Sequence, residues 1–228
     1  MFYGYKRISY KGRSHLAVFR LIAIAFIFIQ ISGFDFTPVR IQYDGGDWYN
    51  DRECLKILAE YVNSHSDLRM DTSETVLKMS DKRIHNYPFL FITGHDKLKF
   101  TKKDIENVRE YVLNGGFIYI DDDYGFNKDA RTFIREVFPD RDLVRISSDE
   151  EIFSSVYEFK KLPKIHEHYE GPPEAYAVFI NKKIGILYTY NTNFSDGWAV
   201  YETYKDPDEK RTLALKMGVN IIYYALFK

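Results

Sequence analysis

The passage that most restricts the fold lies between residues 88 and 120. Pro88 introduces the apolar run FLFIT (89–93), which stops at Gly94 and His95. Thr101 then offers a helix N-cap, with Asp104 placed as in a capping box. Ile105, Val108, Tyr111 and Val112 make the apolar stripe of that helix. Gly115-Gly116 ends it, because glycine accepts the left-handed C′ conformation. FIYI (117–120) follows at once. Two strands joined through a helix pair in parallel, and helices cover such a sheet. The predicted class is α/β.

The remaining pattern fits one domain over residues 34–228. VRIQY (39–43) is a short strand that breaks at Asp44-Gly45-Gly46-Asp47, and Leu55, Leu58 and Val62 share a helical face. A weaker extended piece lies at 75–79. A helix capped by Asn127 carries Phe133, Ile134, Val137 and Phe138, and DLVRI is a further strand. Residues 147–173 are irregular. YAVFI-NKK-IGILYTY predicts a β-hairpin. The last helix is expected to start with Asp206 as N-cap and Pro207 at its first position, burying Leu213, Met217, Ile221 and Ala225.

Ahead of this domain, Lys6, Arg7, Lys11, Arg13 and Arg20 precede the short apolar run LIAIAFIFIQISGF. That order predicts a signal peptide over residues 1–33, cleaved near Ser32-Gly33, with an uncleaved membrane anchor as the alternative. The mature protein is then exported, periplasmic or extracytoplasmic, and touches the membrane only through its N-terminal segment. A net charge of −1 gives no general attraction to nucleic acid, and no nucleic-acid partner is expected. Aromatic residues at 17% suit a sheet-rich core, with a sugar-stacking surface as the less favoured reading. The lone Cys54 excludes an intramolecular disulfide and, on a helical face, is read as packing.

Ligands of open parallel sheets bind beyond the carboxyl ends of the strands. There this sequence releases Asp44, Asp47 and Trp48, then His95, then Asp121-Asp122-Asp123, and finally Asp196 and Trp198. These nine residues are the candidate ligand-binding set. Each also has a plain reading, as turn former, cap or packing. Adjacent carboxylates repel and need a cation or donors when buried. His166 and His168, two apart in an extended segment, point the same way and, with Asp121, are candidate ligands for a divalent metal. No other cofactor is indicated.

RIQYDGGDWY, YPFLFITGH, YVLNGGFIYIDDDYG, LPKIHEH and EKRTLALKMGVNIIYYAL, in this order, resemble the bacterial family catalogued as domain of unknown function 4159. The resemblance implies a flavodoxin-like three-layer sandwich with a mostly parallel sheet, related to class I glutamine amidotransferases. It implies no established activity. Amidotransferases of that superfamily carry a nucleophilic Cys on a strand–helix elbow and a later His-x-Glu pair. Here the elbow after FIYI holds aspartates, Cys54 lies on another helix and HEH lacks the pair, so glutaminase chemistry has no nucleophile.

Two functions remain. The favoured expectation is a non-catalytic binding or assembly module of the cell envelope, with a small-molecule, glycan or envelope-protein partner. The alternative is a metal-dependent hydrolase of a cell-wall or carbohydrate substrate, using the Asp/His cluster with Asp44 or Asp47 as base.

Overall fold

The structure is a computed structural model that describes residues 35–228 except Glu167. The signal or anchor expected over residues 1–33 lies outside the described residues. In chain order the elements begin β1 (Asp35–Phe36), β2 (Val39–Gln42), β3 (Asp44–Gly46), α1 (Cys54–His65), β4 (Arg69–Met70) and β5 (Thr75–Lys78). Next come β6 (Phe89–Lys99), α2 (Lys102–Leu113), β7 (Phe117–Tyr124), α3 (Asn127–Val137) and β8 (Val144–Ile146). The last are β9 (Glu174–Ile180), β10 (Lys183–Tyr190), α4 (Phe194–Trp198), α5 (Tyr201–Tyr204) and α6 (Asp208–Phe227).

The main sheet has the order β5-β2-β6-β7-β10-β9-β8. From β5 to β10 neighbours are parallel, whereas β9 is antiparallel to β10 and β8 antiparallel to β9. The sheet is therefore mixed, which corrects the expectation of a mostly parallel one. The cause is the tight turn at Asn181 and Lys182, whose φ values of 50° and 69° fold β9 back on β10 as a hairpin. β8 then joins the outer strand of that hairpin.

Alternate residues of the central strands enter two apolar layers, as the strand period of two requires. Phe89, Phe91, Phe117 and Tyr119 pack with α1, α4 and α6, while Leu90, Ile92, Ile118 and Ile120 pack with α2 and α3. Thr101 and Asp104 form the complete capping box at α2. Sequence expectations shift at α6 and at β6. α6 starts at Asp208 with Pro207 at its cap, and Leu213 is exposed while Ala214 is buried. β6 does not stop at Thr93: it continues through a bulge at Gly94/His95 to Lys99 and pairs there with β3. Among the described residues, no helix is long and apolar enough to cross a membrane.

Candidate metal centre

The parallel strands β2, β6, β7 and β10 release their carboxyl ends along one edge, so the acids of β7 meet segments from its neighbours. Asp121 is in register with Thr93 and Thr189. It is fully buried and both its oxygens are occupied. The Thr189 hydroxyl donates to Oδ1 at 2.5 Å, and Ser195 donates its N–H (2.7 Å) and O–H (2.8 Å) to Oδ2. Burial raises its pKa against these bonds. Asp121, expected to stand with the histidines as a metal ligand, instead fastens the start of α4 to the sheet. Asp122 accepts the Phe126 N–H and the Tyr188 hydroxyl, each at 3.1 Å, and burial pushes it up to about 6.

Asp123 is the acid that reaches the cluster. Asn50 donates to its Oδ2, and Asn193 donates to its backbone oxygen (2.6 Å) and its Oδ1 (3.2 Å). His95 Nε2 lies 3.2 Å from Oδ2 and His168 Nε2 lies 3.5 Å from Oδ1. Burial pushes Asp123 up to about 7, with the His95 charge opposing. Asp196, on α4 and 1% exposed, is pushed up to about 11 by burial and then by the charges of Asp123, Asp51 and Asp121. Its Oδ1 is buried and has no hydrogen-bond partner.

Asp51 completes the acidic floor. Its Oδ1 accepts the Tyr204 hydroxyl at 2.7 Å and its Oδ2 accepts from Asn50 at 3.2 Å. Burial raises its pKa. The loop carrying Asn50 and Asp51 is held by the buried Arg40 guanidinium, which donates to the carbonyls of Asn50 (2.8 Å) and Asp51 (3.1 Å). Arg40 is itself paired with Glu74 at 2.9 Å.

Three imidazoles form the rim. His95 Nδ1 lies 2.8 Å from Asp47 Oδ2, and the His95 N–H donates to Asp47 Oδ1 at 2.6 Å. Burial opposes protonation of His95, but Asp123 and Asp47 outweigh it and raise the pKa. His166 Nδ1 lies 3.1 Å from Asp206 Oδ1. His168 sits 4.7 Å from the His166 ring, and burial, then His166, lower its pKa. Its Nε2 is buried and has no hydrogen-bond partner, only the longer approach to Asp123. A carboxylate behind Nδ1, as for His95 and His166, directs Nε2 toward a ligand.

Two ligand sets emerge. One ligand atom from each of His166, His168 and Asp196 lies within 4.8 Å of the others, and so does one from each of Asp51, Asp123 and Asp196. A bound divalent ion takes such atoms at about 2.0–2.2 Å, so modest side-chain closure brings either set into a coordination sphere. Beside the cluster, Tyr124 is 46% exposed, lies 5.0 Å from the His168 ring and stacks on Tyr169 at 5.2 Å.

The other candidate residues lie apart. Asp44 is exposed on β3 opposite Lys99, and Trp48 packs edge-on against Tyr49. Trp198 is in the core between Phe91 and Tyr119 and donates to the Ala214 carbonyl at 2.8 Å. Cys54 is fully buried under Arg40 Nη2, and burial pushes its thiol up to about 12. Nothing in the local sequence marks Asp51 or Asp206 as a site residue. Asp51 follows a turn like many surface aspartates, and Asp206 has the pattern of a helix cap.

Fold and site together define an α/β domain with an aspartate–histidine cluster at the carboxyl edge of its sheet. The chain belongs to the family described as domain of unknown function DUF4159, which matches residues 37–226. No curated protein matches the chain.

Proposed function

We propose that this domain is an exported, envelope-associated, metal-dependent hydrolase of a carbohydrate or cell-wall substrate. The observation that carries the reading is a pair of buried atoms without a hydrogen-bond partner, Asp196 Oδ1 and His168 Nε2, inside one Asp/His cluster. A buried polar atom without a partner is costly, and a cation shared by both removes that cost. The burial gradient favours catalysis over a structural site. Asp123 and Asp196 side chains are 0% exposed, whereas His168 is 24% exposed and His95 32%. A floor of acids under a partly exposed rim keeps one side of the cluster toward solvent, and catalytic metal sites keep a position open to water. A divalent ion there supplies Lewis acidity and a more acidic water.

The chain's own groups divide the remaining work. Asp47 orients His95 so that Nε2 faces the cluster, where it takes or returns a proton. The exposed face of Tyr124 suits a sugar ring. Export is supported by the basic and apolar order of the N-terminal residues. The flavodoxin-like, amidotransferase-related scaffold is supported by parallel central strands with helices on both faces. The buried Cys54 thiol argues against amidotransferase chemistry on it.

Elemental analysis of protein purified without chelator or histidine tag tests the metal. Zinc or manganese is expected to copurify, and hydrolysis of chromogenic glycosides or peptidoglycan fragments to stop with chelator and return with metal. Protein that takes up neither metal overturns the proposal. Metal binding without hydrolysis of any such substrate favours the non-catalytic binding module, in keeping with the missing protein nucleophile.

A further inference from the structure

The two ligand sets share one residue, Asp196. We propose that the site holds two divalent ions, with Asp196 as the bridging carboxylate between an imidazole-rich subsite (His166, His168) and an all-carboxylate subsite (Asp51, Asp123). This rests on the metal-dependent reading above and adds the number and kinds of ion.

Asp196 is placed for a bridge. Its side chain is 0% exposed, so bulk water does not satisfy it. Oδ1 has no partner, and Oδ2 has only distant ones, Asn193 Nδ2 at 3.4 Å and His168 Nε2 at 3.9 Å. Both oxygens are therefore available, one for each ion. Asp121, by contrast, turns both oxygens to Thr189 and Ser195 and belongs to neither ligand set.

Charge favours the same count. Asp51, Asp123 and Asp196, once ionised, bring three carboxylates into a poorly solvated floor. One dication leaves an excess negative charge there. Two dications balance the floor with a hydroxide or an anionic substrate group between them. Ions about 3.5–4 Å apart act in this way as a clamp on the attacking and leaving oxygens of a hydrolysis.

The donor sets differ in kind. Imidazole nitrogens suit zinc, and carboxylate oxygens suit manganese or magnesium. Asp206 behind His166 is the outer carboxylate expected of a zinc-binding histidine. On the other side, the Tyr204 hydroxyl and the Asn50 amide hold Asp51 in place.

The test counts ions. Chelator-treated full-length protein is titrated with zinc and manganese, by calorimetry and by mass spectrometric metal analysis. Two ions per chain are expected for the wild type. Asp51→Asn should keep one zinc and bind manganese at least tenfold more weakly, His168→Gln should do the reverse, and Asp196→Asn should weaken both. Circular dichroism melts establish that each variant is folded, and the wild-type count depends on no variant. One ion per chain, lost alike in Asp51→Asn and His168→Gln, overturns the two-ion arrangement and leaves the metal-dependent reading standing. No ion at all removes both.

Discussion

At the scale of single residues, neighbouring acids of one strand do opposite work, and substitution separates them. Asp121 accepts three hydrogen bonds from Thr189 and Ser195 in the core. Asp121→Ala leaves those donors buried and unpaired and should cost on the order of 3 kcal/mol of stability. Asp123 sits two residues on, where burial disfavours its charge and pushes its pKa up to about 7. Asp123→Asn removes that charge and should raise metal-free stability above neutral pH by ~1–3 kcal/mol while weakening metal binding. Denaturant melts of both variants with chelator present measure the two signs. A loss of stability in Asp123→Asn equal to that in Asp121→Ala would mean that its asparagine contacts outweigh its buried charge.

At the scale of elements, the bulge within β6 at Gly94/His95 positions His95, one of the three rim histidines. Gly94 has φ 142°, and a Cβ there would lie 2.1 Å from the Tyr43 hydroxyl and 3.0 Å from Asp47 Oδ1. Gly94→Ala should therefore destabilise the domain by ~2–4 kcal/mol and displace Asp47 from His95. Thermal melts, with the His95 imidazole titration followed by NMR, test this: an unchanged titration would remove the bulge from the site's support. The same bulge explains what the sequence conceals. FLFIT and FIYI were legible as strands because apolar runs flanked a well-capped helix, but Gly94 and the left-handed Asp96 (φ 62°) break the alternation that would extend β6 to Lys99. The mixed sheet was likewise hidden, since a predicted hairpin does not state which neighbour its strands adopt. His95, Asp123, Asp196, His166 and His168 were legible through the strand-end rule and the His-x-His spacing. Asp51 and Asp206 reach them only through tertiary packing, which no local spacing records.

For the molecule as a whole, the acids set the dependence of stability on pH. Asp121, Asp122, Asp123 and Asp196 all have folded pKa values above the unfolded one, with Asp122 at about 6 and Asp123 at about 7. Between about pH 4 and pH 7 the folded chain thus binds more protons than the unfolded chain, and stability falls as pH rises. His95, also raised, acts in the same direction, whereas the lowered His168 opposes it. The melting temperature of metal-free protein should drop by several degrees from pH 5 to pH 7.5. Zinc or manganese should reverse the drop at pH 7.5, because the ion replaces the protons. A melting temperature that climbs over this range without metal would show that other groups govern it.

The attachment of Ser195 to Asp121 also has a consequence in time. The Ser195 amide donates to a carboxylate with no exposed surface, on the central strand β7. An amide so placed exchanges with deuterated solvent only when the sheet itself opens. Ser195 should accordingly exchange as slowly as the amides of β7, although it lies in a helix of a single turn. The Asp196 carboxylate that follows it is then presented on a frame that does not open locally. Under the proposed function, the closure that binds an ion then falls to side chains and not to the backbone beneath them.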